Sequence, residues 1–244
     1  MNIINIEDFN KKRDFLVLDK NKSKIVFSTA KENRSFNRYT EDGIKALNSI
    51  KEDFLVDEVI YLNQIHSDKV LKYDGEENFI ENDGDGIITN KRNVAIGVFT
   101  ADCVPVIIVN EESGVIGAVH SGWKGTFNSI TKKALEKMRD LYGVNHENTK
   151  VYIGAHIRKC CYEVSEELKE KFLKEKDIDK NILFKGRNLN LEICIEKDAI
   201  DSGILDSNIY KLDLCTYCEE KIKLHSYRKS SGSYGRLFSF VILK

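Results

Sequence analysis

His66, Cys103 and His120 stand at the ends of three separate apolar runs. Two imidazoles and one thiolate are a donor set that zinc accepts readily, and three protein donors leave a fourth position for water or substrate, as catalytic sites do. Their settings are Asn63-Gln64-Ile65-His66-Ser67, Thr100-Ala101-Asp102-Cys103-Val104-Pro105 and Gly117-Ala118-Val119-His120-Ser121-Gly122-Trp123-Lys124-Gly125-Thr126. The same residues also permit metal-free chemistry, with Cys103 as nucleophile and His120 as base in an amide or peptide hydrolase. A third reading is a non-catalytic metal-buffering or redox-sensing module that uses the six thiols.

The elements that must position these side chains can be read from apolar periodicity. Residues 24–29 predict a first strand and 41–50 a helix with Ile44, Leu47 and Ile50 on one side. Residues 59–62 predict a strand ending just before His66; residues 94–99, 106–109 and 115–119 are β-branched runs that predict adjacent buried strands. Cys103 then falls in a tight connection and His120 at a strand end, where backbone geometry is rigid. Residues 126–142 predict a helix with Thr126 as N-cap and Gly143 past its end. A strand at 150–154, a helix opened by Ser165-Glu166-Glu167, a helix at 189–200 and a closing strand at 237–243 complete the pattern. Strands and helices mix without strict βαβ alternation, which predicts an α+β layered fold rather than a doubly wound one.

With 244 residues and no linker or low-complexity block, a single domain over 1–244 is expected. The 38 Lys+Arg and 39 Asp+Glu give a net charge of -1, so no global field draws nucleic acid or an anionic membrane. Small-molecule partners and a cytoplasmic location are expected, because no signal peptide or membrane span is visible. The only proline, Pro105, follows Cys103 by two residues and forces Val104 toward an extended conformation.

Cys160-Cys161 and the CxxC run Cys215-Thr216-Tyr217-Cys218 could form a second metal cluster or a redox pair. The expectation is instead that they are free thiols serving as small apolar core residues. His146 is expected in a solvated loop, and His156 and His225 as structural histidines. No phosphate loop, dinucleotide fingerprint or nucleophile elbow is present.

Taken together, the segments NQIHSDKV, DGDGIIT, TADCVPVIIV, GAVHSGWKGT, IGA…CCYEV and CT…HSYR…GR strongly resemble one bacterial family. It is the family long labelled laccase-domain or multicopper polyphenol oxidoreductase, whose better-supported activity is purine nucleoside phosphorolysis with adenosine deamination; several relatives are described as peptidoglycan-editing factors. The resemblance implies a four-layer αββα sandwich with mixed sheets and zinc on His66, Cys103 and His120, with copper the less favoured ion. It implies adenosine, inosine or methylthioadenosine plus phosphate as substrates, giving free base and ribose 1-phosphate, in a monomer or homodimer. Within that chemistry Asp102 is the expected proton shuttle. Lys124, Arg228 and Arg236 are the expected phosphate-binding cations and Ser226 a neutral donor, while Gln64 and Asp102 are the expected orienters of the two histidines. The hydrolase alternative would place Cys103 and His120 in peptidoglycan-precursor editing. The chain departs from the family pattern at 30–35, at 154–159 where Gly154-Ala155-His156-Ile157-Arg158-Lys159 replaces a Gly/Pro-rich run, at Asn190 and at Leu224-His225-Ser226.

Overall fold

The computed structural model describes residues 2–230 and 235–244. Two large sheets lie face to face. The seven-stranded sheet runs, in spatial order, Asn2–Ile4, Ile209–Leu212, Lys150–Ile153, Val104–Asn110, Val115–Ser121, Gly86–Thr89 and Val70–Lys72. The six-stranded sheet runs Asn10–Lys12, Phe15–Asp19, Ser23–Ser28, Leu237–Leu243, Val94–Thr100 and Glu58–Ile60. Both mix parallel and antiparallel pairs.

Strand alternation explains the layers, since successive side chains point to opposite faces. In Val104–Asn110, Val104, Val106 and Ile108 pack with the helices Ile130–Tyr142 and Leu191–Asp201, through Leu135, Met138, Ile195 and Ala199. Ile107 and Val109 of the same strand turn the other way, toward Ile25, Ile96 and Val241 of the second sheet. The outer face of that sheet, with Phe15, Val26 and Phe240, is covered by Leu47, Ile50 and Phe54 of the helix Glu41–Phe54. The result is helix, sheet, sheet, helix, the α+β four-layer arrangement. Strands buried on both faces read as unbroken apolar runs, which is why 104–110 and 115–121 show no polar alternation.

Three expectations need correction. The strand Val94–Thr100 does not neighbour Val104–Asn110; it belongs to the other sheet. The chain changes sheet within Ala101-Asp102-Cys103, where Asp102 takes φ 99, a backbone region that side-chain-bearing residues rarely adopt. The predicted 126–142 helix is two helices, Trp123–Phe127 and Ile130–Tyr142, with Gly122 rather than Thr126 as the first N-cap. Asn128-Ser129 separates them, with Ser129 left-handed at φ 56, and short polar side chains of this kind stabilise non-helical backbone. Ile44, finally, is exposed. Gly143 does end the second helix, left-handed at φ 64, and Ser165 caps Glu166–Glu175 by accepting from the Leu168 amide. Among the described residues no helix is long and apolar enough to cross a membrane.

Candidate active site

Cys103 sits where the chain passes from one sheet to the other. His120 pairs in register with Pro105 at the end of the neighbouring strand and continues the Ile116-Ala118 face, so it points between the sheets. His66 comes from the connection after Glu58–Ile60 and is held left-handed at φ 57. The imidazole and thiol donor atoms of these three residues all lie within 4.8 Å of one another. The two rings meet edge to face with centroids 4.8 Å apart, and Cys103 Sγ lies 3.9 Å from His66 Nε2.

One buried carboxylate organises this geometry. Asp85 Oδ1 accepts from His120 Nδ1 at 2.8 Å and from the His66 amide at 3.1 Å. Its Oδ2 accepts from the Ile65 and Ser67 amides at 3.3 and 2.6 Å and from the Ser67 hydroxyl at 2.6 Å. Three consecutive amides on one carboxylate explain how His66 keeps an unfavourable backbone conformation. The bond to Nδ1 fixes the tautomer of His120 and turns its Nε2 lone pair into the site, as carboxylates behind metal-binding histidines do. Asp85 is 1% exposed, and Gly86 beside it leaves no room for a side chain: a Cβ there would lie 2.9 Å from Val70 Cγ2. The Gly-Asp-Gly pattern is therefore a buried acid between residues that must be small.

Ionisation follows from this packing. Burial works against a charged Cys103, but the His120 and His66 imidazoles outweigh it and hold the thiol down at about 6. Burial likewise opposes protonation of His120, yet the Cys103 thiolate and Asp85 raise it to about 9. Without metal the pair is thus thiolate and imidazolium at neutral pH. Metal-free protein should then be alkylated at Cys103 by iodoacetamide at a rate that holds from pH 8 down to near 6 and falls below it. An ordinary thiol loses its thiolate below about 8.5; a rate falling tenfold per unit from pH 8 would contradict the pairing.

The donor set fits a tetrahedral ion with one open position. Gly122 approaches it closely, because a Cβ there would stand 3.1 Å from both Cys103 Sγ and His66 Cδ2. Gly122→Ala should crowd the donors by about 1–3 kcal/mol, the usual cost of overpacking. Titration against a competing chelator should read this as roughly five- to 150-fold loss of zinc affinity with little change in fold.

The triad opens onto a cleft of about 550 Å³ lined by Phe99, Trp123, Ile157, Tyr162, Leu168 and Tyr227 and by Arg38, Arg228 and Arg236. Sequence expectations for the surrounding residues divide. Gln64 lines the cleft, but its amide is spent on the Phe99 backbone, donating to the carbonyl at 2.8 Å and accepting from the amide at 2.7 Å. It fastens the His66 loop to the strand Val94–Thr100 rather than orienting an imidazole. Asp102 accepts from Thr216 Oγ1 at 2.6 Å and from the Arg228 amide at 2.8 Å. Asp102, 7% exposed, thereby clamps two distant segments while also lining the cleft beside Cys103. Orientation of His120 belongs to Asp85, to which no role was assigned from sequence.

Arg228 and Arg236 are at the cleft; Lys124 and Ser226 are not among its lining residues. Lys124 Nζ lies 5.6 Å from the Trp123 ring centre, and buried Ser226 accepts from the Lys229 amide at 3.2 Å, forming a turn. Arg38, which carried no sequence signal, reaches the cleft instead, tied to the Leu62 carbonyl at 2.7 Å and to Asn63 and Tyr39. His156 and His225 are structural as expected, bonded to the carbonyls of Gly154 and Arg34 at 2.8 and 2.9 Å. His146 is not solvated: it is buried between the carbonyl of Leu135, in the middle of the helix Ile130–Tyr142, and that of Ser202, at the end of Leu191–Asp201, and ties the two helices together.

Residues 41–244 match the family model described as multi-copper polyphenol oxidoreductase laccase. A purine nucleoside phosphorylase of Clostridium acetobutylicum is 40% identical over 244 residues, covering all of both chains. An adenosine deaminase from an unknown prokaryotic organism is 27% identical over 203 residues, covering 78% of this chain and 76% of that one. The solved structure of the hypothetical protein YfiH of Bacillus licheniformis superposes with a TM-score of 0.88 at 22% identity, covering 97% of this chain and 99% of that one. By the span of that match and by its full-length relative, this chain belongs to the multi-copper polyphenol oxidoreductase laccase family.

Proposed function

We propose that the chain is a zinc-dependent purine nucleoside phosphorylase with adenosine deaminase activity at the same centre. The observation that carries the reading is a His2Cys donor set, backed by a buried carboxylate, at a cleft that joins aromatic walls to three arginines. A planar purine suits Phe99, Trp123, Tyr162 and Tyr227, because rings stack with one another at little cost in specificity. Guanidinium groups suit a phosphate dianion, which they grip through paired N–H donors. Relatives named for phosphorolysis and for deamination support both halves.

In phosphorolysis the bond between the purine nitrogen and C1′ breaks, its electron pair leaves with the base, and a phosphate oxygen bonds to C1′. Arg38, Arg228 and Arg236 hold the phosphate against the sugar, so the protein's contribution is positioning and charge. His66, Cys103 and His120 are the proposed metal ligands, and Asp85 keeps the His120 proton on Nδ1. When bound, zinc supplies a Lewis acid and a water of lowered pKa, the nucleophile that deamination at C6 requires. Phe99, Trp123 and Tyr162 keep bulk water from the reacting bond. The cytoplasm, as the compartment that keeps thiols reduced, matches six free cysteines.

The laccase description fits the residues poorly. Oxidases of that type ligate a trinuclear copper cluster as well as a His2Cys centre. Of the five histidines, His146, His156 and His225 are each bonded to backbone carbonyls away from the triad.

Inosine separates the two halves, since it carries no amino group to lose. Zinc-loaded protein should convert it to hypoxanthine and ribose 1-phosphate only when phosphate is present. Hypoxanthine with free ribose, formed equally without phosphate, would make the protein a hydrolase instead.

A further inference from the structure

Away from the cleft, four sulfurs meet. Cys160 and Cys161 lie in the turn after Gly154-Ile157, and Cys215 and Cys218 in the turn after the strand Ile209–Leu212. Their Sγ atoms all lie within 4.8 Å of one another, and Cys160 Sγ is 3.7 Å from Cys218 Sγ. The expectation that they are core residues holds for Cys215, which is buried in the apolar cluster, and in part for half-buried Cys161, which packs against it; Cys160 and Cys218 are exposed and depart from it. We infer that these four cysteines form a second, structural metal site, a tetrathiolate that takes zinc.

The spacing is the first argument. Sulfurs at about 2.3 Å from a tetrahedral zinc stand about 3.8 Å from each other, close to the Cys160–Cys218 separation. A disulfide would require a little over 2 Å. Clusters of several irons spread their thiolates over different metal atoms and so need a wider set than this. Four soft donors at tetrahedral spacing, with no oxygen or imidazole among them, select zinc over hard cations.

The backbone is the second argument. The amides of Arg158, at 3.5 Å, and of Tyr217 and Cys218 all point at Cys215 Sγ, so this CxxC turn presents its N–H groups to a sulfur that is to carry negative charge. Zinc binds the thiolate, not the thiol. Metal uptake must therefore expel protons.

The position gives the site a purpose. The Cys215 turn pairs with His156, whose carbonyl accepts from the Thr216 amide at 2.9 Å, and Thr216 Oγ1 in turn donates to Asp102 beside Cys103. The Cys160 turn leads into Tyr162, a wall of the cleft. A metal joining the two turns would staple the support of Asp102 without touching the triad. It would also do so independently of which reaction the triad performs.

Metal analysis and cobalt spectroscopy of the full chain test this. Zinc-replete protein should hold two zinc ions per chain, one in a Cys160→Ser/Cys218→Ser variant and one in Cys103→Ala. Cobalt-loaded Cys103→Ala protein should keep the intense sulfur-to-cobalt charge-transfer and tetrahedral bands of a tetrathiolate, and the double serine variant should lack them. A single zinc that is retained in Cys103→Ala with those bands would uphold this site while removing the proposed catalytic one. A single zinc lost in Cys103→Ala, absence of tetrathiolate bands from cobalt-loaded Cys103→Ala, or a Cys160–Cys218 disulfide in protein prepared under reductant would overturn the inference.

Discussion

Cys103→Ala protein should turn adenosine and inosine over at least about a thousandfold more slowly than the parent chain. Metal assistance is worth several kcal/mol of transition-state stabilisation, and about 4 kcal/mol is a thousandfold in rate. The loss should appear in kcat rather than KM, because the aromatic walls and the arginines that bind nucleoside and phosphate remain. The fold should survive, since Cys103 lies at the cleft and outside the three apolar clusters that hold the layers together. Circular dichroism and the unfolding midpoint check that. A Cys103→Ala protein with parental kcat would remove the centre from the reaction altogether.

Asp85→Asn should weaken the centre as well, although the residue never reaches the cleft. The carboxylate accepts at both oxygens, from His120 on one side and from the Ile65 and Ser67 groups on the other. An amide has one oxygen and one NH2. If its oxygen faces His120, the NH2 meets the amides of the His66 loop; if it is turned round, the NH2 meets His120 Nδ1 and forces the imidazole proton onto Nε2. Either arrangement spoils one ligand, and losing such a supporting partner typically lowers metal affinity about 10- to 100-fold. Competition titration should show that loss, with activity partly restored by excess zinc. Asp85→Ala should additionally unfold more easily, because it leaves buried donors unpaired at roughly 1–3 kcal/mol each. Unchanged zinc affinity in Asp85→Asn would mean that the hydrogen bond to His120 orients nothing.

Much of the site was legible because each triad residue carries its own local signal: a strand end, a tight connection, a glycine-rich turn. The residue that organises them was not. Asp85 acts across 18 positions to Ser67 and 35 to His120, and a buried acid between two glycines reads locally as a turn. The four-cysteine cluster was hidden for the same reason, since 58 positions separate Cys160 from Cys218. Strand positions came from periodicity, but strand partners did not: nothing in 94–110 says that a left-handed Asp102 sends the chain into the other sheet. Among the cations, sequence proximity favoured Lys124 over Arg38, yet a helix surface turns Lys124 outside the cleft lining while a loop delivers Arg38 to it. Local chemistry is written in short motifs, whereas support comes from contacts that only the folded chain makes.

The most direct test is chromatographic product analysis of zinc-loaded protein incubated with adenosine, with and without phosphate, beside His120→Ala. The proposed function predicts adenine and ribose 1-phosphate only with phosphate, inosine without phosphate and inosine together with the hypoxanthine its phosphorolysis gives when phosphate is present, and none of these from His120→Ala. No turnover of adenosine by protein shown to carry zinc at His66, Cys103 and His120 would contradict it.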